Sequence, residues 1–249
     1  MDTHFRYTDE RYSIRGDIPS AFRAAWNHIA SPGSVWTGVQ RVEIARQSRI
    51  AWECPLCAER KAALSPNAVA GSHDSASELS SQAIDAVHRI TTDPGRLTKS
   101  WFDGLMSDRL TEAGYVEIIG IVSTITSIDT FCNALSLPVE SLPEPLPGEP
   151  TRYRPERLKR GGAWVPLLME NDLAPPEADV YTGIKQGGNV LRCMSLVPNE
   201  VRNLFQLSKA MYMDDRDVVN FQTNGDRAIS RDQMEFIAAR VSFKNDCFY

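Results

Sequence analysis

The chain reads as an all-α protein, and three observations predict that class. Apolar residues recur at helical spacing, as in Met234, Ile237, Ala238 and Val241 or in Tyr115, Ile118, Ile119, Val122 and Ile125. Helix-start chemistry precedes such stretches: proline follows Glu53-Cys54, and Ser230 stands three residues before Gln233 as a capping box. A third stretch, 138–160, carries Pro138, Pro143, Pro145, Pro147, Pro150 and Pro155. Proline at that density rules out a continuous helix and marks a boundary between two helical units, 1–137 and 161–249.

In order, the first unit opens with a short helix around Ala21–Ile29, closed by Ser31-Pro32-Gly33, with His28 as a packing or surface residue. Thr37-Gly38 starts a helix through Val42, Ile44, Ala45 and Ile50, and Cys54-Pro55 starts the next. Residues 65–78 are rich in Ser, Ala, Asn and Gly and read as a loop with a solvated His73. Helices follow at Leu79–Ile90 and Leu97–Leu105, the first carrying His88 beside Ile84, Val87 and Ile90. A long helix then runs from Thr111-Glu112 to Leu137, with Glu117 as a solvated or capping acid and Cys132 as a small buried hydrophobe. The proline-rich stretch with Arg152, Arg154, Arg157, Lys159 and Arg160 reads as a solvated linker. Beyond it, Gly187-Gly188-Asn189 precedes one helix, with Cys193 as a packing residue. Pro198-Asn199 opens another through Val201, Leu204, Phe205 and Leu207, and the helix capped by Ser230 follows. Asn245-Asp246 then supplies turn and cap chemistry, so a new helix should begin at Cys247.

Composition excludes several function classes. A net charge of -5 and a pI near 5.5 give no electrostatic footprint for nucleic acid. No N-terminal signal region is evident, and no apolar run approaches the ~20 residues that span a bilayer. The expectation is a cytoplasmic protein with neither membrane nor nucleic-acid partner. Five cysteines, two of them as Cys54-Pro55-Leu56-Cys57, suit redox or metal chemistry better than a secreted disulfide framework.

That Cys-x-x-Cys carries the chemistry. A thiol at a helix N-terminus meets free amide N–H groups and the positive end of the helix dipole, both of which favour thiolate. Cys54 would cap the helix and Cys57 would lie in its first turn, with Lys61 a turn further on. Zinc would need two more ligands, and there is neither a second Cys-x-x-Cys nor a His pair at finger spacing. A redox dithiol is therefore the leading expectation, with two structural thiols or a metal as the alternatives. His88 is the in-chain candidate for a proton relay. At the other end of the chain, Glu235 on the terminal helix and Cys247 after the turn repeat the outline of Glu43 and Cys54: a helix with an acid, a break, and a cysteine at the next start.

The segment E-F-I-A-A-R-V-S-F-K-N-D-C-F-Y, with its Glu-x11-Cys spacing, resembles the AhpD-like alkylhydroperoxidase and carboxymuconolactone decarboxylase superfamily. Residues 112–138 resemble the closing helices of its peroxidase-related members. The resemblance implies an AhpD-like helical bundle in tandem units, the second incomplete, and self-association into a homo-oligomer. It implies a thiol-dependent peroxidase acting on alkyl hydroperoxides: Cys57 attacks, Cys54 resolves, an external dithiol resets the pair, and no cofactor or metal takes part. Glu43 or Glu235 would hold the proton relay, and Cys247 would be of the resolving type. The first copy departs from the family pattern twice. Ten residues, not eleven, separate Glu43 from Cys54, and Lys61 occupies the place of the family histidine. A non-catalytic or redox-sensing scaffold and a lactone decarboxylase are the rival functions. The family pattern would continue past Tyr249 with a second Cys and a His. A fragment, a degenerate repeat and an unread selenocysteine codon each account for the stop.

Overall fold

The computed structural model describes residues 4–7, 13–181, 189–218, 220–225, 227–245 and 247. Among these, helix is the regular structure, with two isolated bridges, Ser107 to Leu110 and Lys159 to Leu167, and no strand. The helices are α1 (Asp17–Ala30), α2 (Gly38–Ala51), α3 (Pro55–Ala62), α4 (Ser81–Thr92), α5 (Lys99–Leu105), α6 (Glu112–Ala134), α7 (Asn189–Arg192), α8 (Pro198–Met211), α9 (Asp215–Val218) and α10 (Arg231–Lys244). The all-α class is thus the class observed.

Local chemistry explains where the helices start. Thr37 and Gln40 form a reciprocal capping box at α2, satisfying two of the amides a helix start leaves free. Ser80, Thr98 and Thr111 each accept an amide at the starts of α4, α5 and α6, and Ser230 with Gln233 boxes α10 as its spacing predicts. Cys54 is the N-cap residue of α3 and Pro55 its first residue. α6 is long and apolar enough to cross a membrane by composition. Most of it is buried by neighbouring helices, its Ile118, Ile121, Ile125 and Ile128 lying in the core.

That core runs on past residue 160. α8 packs against α1 and α6, and Val165, Leu168, Val180, Leu196, Val201 and Leu207 join the cluster of Phe22, Ile29, Ile44 and Val87. The stretch 138–160 carries no helix, as its prolines require, but it is docked rather than a solvated linker. Trp26 Nε1 donates to the Ser141 carbonyl at 2.9 Å. The amides of Leu146, Thr151 and Arg152 bond the carbonyls of Ala30, Gly33 and Ser34 at 2.9, 2.9 and 3.0 Å.

A buried ion cluster ties the two stretches together. Arg41, 0% exposed, places Nη1 2.9 Å from Glu117 Oε2 and 2.9 Å from Glu200 Oε1. Glu117 also accepts the amides of Ser34 and Val35 at 2.6 and 2.7 Å, so it is fully buried and bridging, not a solvated acid. His28, half-buried, lies 3.0 Å from Glu200 and 2.9 Å from Arg41, packed at the edge of the cluster. A Cβ at position 120 would sit 2.2 Å from Glu200 Oε2, so only glycine lets α6 accept that carboxylate.

The terminal helix departs from its expected stripe. Of the four apolar positions, Met234 is buried, whereas Ile237 and Val241 are more than half exposed. The helix start expected at or beside Cys247 falls on residues that lie, Cys247 apart, outside the described ones. Cys247 is exposed with its amide on the Ser242 carbonyl at 3.0 Å, and Asp246, Phe248 and Tyr249 lie outside the described residues. The Gly187-Gly188 turn lies outside them too.

Candidate thiol–imidazole site

Three segments bring the functional side chains together. Cys54 and Cys57 enter on the first turn of α3, His88 from α4, and His73 from the loop between those helices. One ligand-type atom from each of the four lies within 4.8 Å of the others. The Cys54–Cys57 pair sits near 3.6 Å. His73 Nδ1 is 3.4 Å from Cys54 Sγ and 3.7 Å from Cys57 Sγ, and His88 Nδ1 is 3.4 Å from Cys57 Sγ.

The loop is bent inward by specific contacts. Gly71 has φ +152°, and a Cβ there would meet Leu56 at 2.9 Å, so glycine lets the chain pass over α3. Arg60 donates to the Val69 carbonyl at 3.3 Å and Arg89 to Asn67 at 2.6 Å, pinning the same loop. The His73 side chain ends 4% exposed, which corrects the expectation of a solvated residue.

Each imidazole is oriented from behind. His73 Nε2 faces Asp85 Oδ1 at 3.0 Å, and Asp85 is itself held by Arg60 at 2.6 Å and Trp101 Nε1 at 2.7 Å. His88 Nε2 faces Gln47 Oε1 at 3.2 Å, and the Gln47 amide donates to Glu43 at 2.8 Å. Glu43 thus reaches His88 through one intervening side chain. Its second partner is Arg46.

The electrostatics separate the two rings. Burial works against charge on His73, but Asp85 and both sulfurs outweigh it and push its pKa up to about 10. Burial and the neighbouring His73 push His88 down to about 4. Burial opposes ionisation of Cys54 as well, yet the His73 contact draws that thiol below its ordinary range. Burial also opposes charge on Asp85, which hydrogen bonds from His73, Trp101 and Arg60 hold far below the usual carboxylate range. Two imidazoles shifted in opposite directions, His73 toward the cation and His88 toward the neutral ring, are the pattern of an acid and a base in one site.

A cavity of about 460 Å³ opens beside His73, lined also by Arg60, Ser72, Ser75, Gln82 and Asp85. His73 is the residue shared by this cavity and the sulfur pair.

The remaining predicted site residues stand apart from this centre. Lys61 lies over the Trp52 ring, 5.8 Å from its centroid. Glu235 accepts from Tyr212 at 2.6 Å and Arg231 at 2.6 Å on the half-exposed α10. Cys247 is exposed and outside the cluster. The absence of a His pair at finger spacing argued against a metal. His73 and His88 complete a four-donor set at spacings no local pattern encodes.

Comparison of the chain with models of known protein families, with curated proteins and with solved structures finds no match.

Proposed function

We propose that the chain is a thiol-dependent peroxidase reducing alkyl hydroperoxides, with Cys54 and Cys57 as the redox pair. The observation that carries this reading is the packing of two free, adjacent sulfurs against an imidazole drawn toward its charged form. A thiolate is the nucleophile such chemistry requires. The resemblance to the AhpD-like superfamily supplies the substrate class and the order of attack.

In the proposed cycle, the Cys57 thiolate attacks one peroxide oxygen, the O–O bond breaks, and the alkoxide leaves with a proton from His73 as the alcohol. The Cys57 sulfenic acid condenses with the Cys54 thiol, forming the disulfide and releasing water. A dithiol reductant outside the chain attacks the disulfide, takes its oxidising equivalents, and restores both thiols. His73 fills the role the resemblance gives to a histidine at position 61. His88 is the proton acceptor behind Cys57, and Gln47, itself held by Glu43, fixes the orientation of its ring.

The test is turnover of an organic hydroperoxide by the metal-free, reduced full chain with dithiothreitol as donor. The expected result is peroxide-dependent dithiol oxidation, abolished in Cys57→Ser. In Cys54→Ser, a sulfenic acid should be trapped on Cys57. Reversible loss of two thiols without turnover would make the chain a redox-sensing scaffold. The burial of both sulfurs, 6% and 4% exposed, favours that second reading. Unreactive thiols would remove both.

A further inference from the structure

We propose that the reduced chain binds a zinc ion, held by Cys54 Sγ, Cys57 Sγ, His73 Nδ1 and His88 Nδ1. A tetrahedral ion with Zn–S of about 2.3 Å and Zn–N of about 2.0–2.1 Å keeps its donor atoms about 3.3–3.8 Å apart. The separations here are 3.4, 3.7 and 3.4 Å for three sulfur–nitrogen edges and near 3.6 Å for the cysteine pair. Simple thiol–imidazole hydrogen bonding needs each histidine to meet one sulfur. Instead His73 Nδ1 faces both sulfurs, and Cys57 faces both histidines.

The outer contacts fit the same ion. In metal sites the ligating histidine donates its other ring N–H to an oxygen, which leaves the near nitrogen free to ligate. Asp85 provides that oxygen for His73 and Gln47 provides it for His88, at 3.0 and 3.2 Å. Two thiolates balance a dication, so binding displaces the protons held by the sulfurs and by the His73 imidazolium and leaves two neutral imidazoles with no net charge on the ion and its four ligands. Two sulfurs and two imidazoles in a tetrahedron select zinc over magnesium, calcium or manganese. Four protein donors close the coordination sphere, which makes the site structural. It clasps the 63–80 loop to α3 and α4.

One consequence rests on the peroxidase reading. Bound sulfurs are withheld from peroxide. Joining them would expel the ion: two thiolates, a hydroperoxide and two protons become a disulfide, an alcohol and water, with the zinc ion released.

The experiment strips the reduced full chain of metal, adds zinc against a chromophoric chelator, and takes the X-ray absorption spectrum of the loaded protein. Stoichiometric binding with a shell of two sulfurs and two nitrogens is expected. Gln47→Leu and Asp85→Asn should each weaken binding by about 10–100-fold, with helical content by circular dichroism unchanged. Failure to compete with the chelator, or a shell without sulfur, would overturn the proposal. Because that spectrum is read on the unaltered protein, misfolded variants cannot decide it. Peroxide turnover, assayed separately on metal-free protein, distinguishes the two readings. Zinc binding without turnover leaves this site and removes the peroxidase, and turnover without zinc binding does the reverse.

Discussion

At the scale of single residues, His73 decides the character of the site. Its pKa, raised to about 10, lies above the ~6.5 of an unfolded histidine. Its contribution to stability is therefore fully present below pH ~6.5 and is lost as pH rises through about 10. In metal-free protein the imidazolium also holds Cys54 toward thiolate. His73→Gln should move the pH midpoint of Cys54 alkylation upward. A profile identical to that of the unaltered chain would show that His73 does not draw Cys54 toward thiolate. The cysteine pair and its place at a helix start were legible from Cys54-Pro55-Leu56-Cys57, because proline and dipole chemistry are local. His73 was not legible. It lies sixteen residues beyond Cys57 in a polar loop, and what turns it inward is a positive-φ glycine and the Arg60–Asp85 pair.

At the scale of helices, the caps and the buried ion cluster make separable predictions. Thr37 closes the start of α2 with Gln40, and Thr37→Ala should cost about 1 kcal/mol in urea unfolding. Arg41 bridges Glu117 on α6 and Glu200 on α8. Arg41→Met leaves two buried carboxylates facing each other and should cost about 3–5 kcal/mol. An effect within the range of an exposed ion pair, below about 1 kcal/mol, would mean the cluster is not what joins these helices. Helix positions were readable because their start signals are local. The ion cluster was not, because Arg41, Glu117 and Glu200 come from three distant helices whose approach depends on tertiary packing.

At the scale of the whole molecule, a shared core replaces the two units that the prolines suggested. The stretch 138–160 carries no helix, but its amides bond carbonyls of α1 and of the α1–α2 connection, and Leu207 of α8 is buried with Ile29 and Ile44. Leu207→Ala should cost about 2–5 kcal/mol and lower a common unfolding transition. Two separate transitions, with only the second shifted, would restore the two-unit description. Acid should act through Glu200. Its burial opposes charge, yet Arg41 and His28 hold its pKa down to about 2. The stability it contributes is present above pH ~4.3, the unfolded carboxyl value, and falls away as pH drops toward about 2. Glu200→Gln should remove that part of the acid slope in pH-dependent urea unfolding. An unchanged slope would place the acid sensitivity elsewhere.

The proposed redox pairing of Cys54 with Cys57 beside His73 can be read by disulfide mapping by mass spectrometry after a brief exposure to organic hydroperoxide. Metal-free, reduced protein should yield the Cys54–Cys57 disulfide, with no oxidation at Cys132 or Cys193. Thiols that survive the exposure at both positions, or oxidation confined to Cys247, would contradict the account.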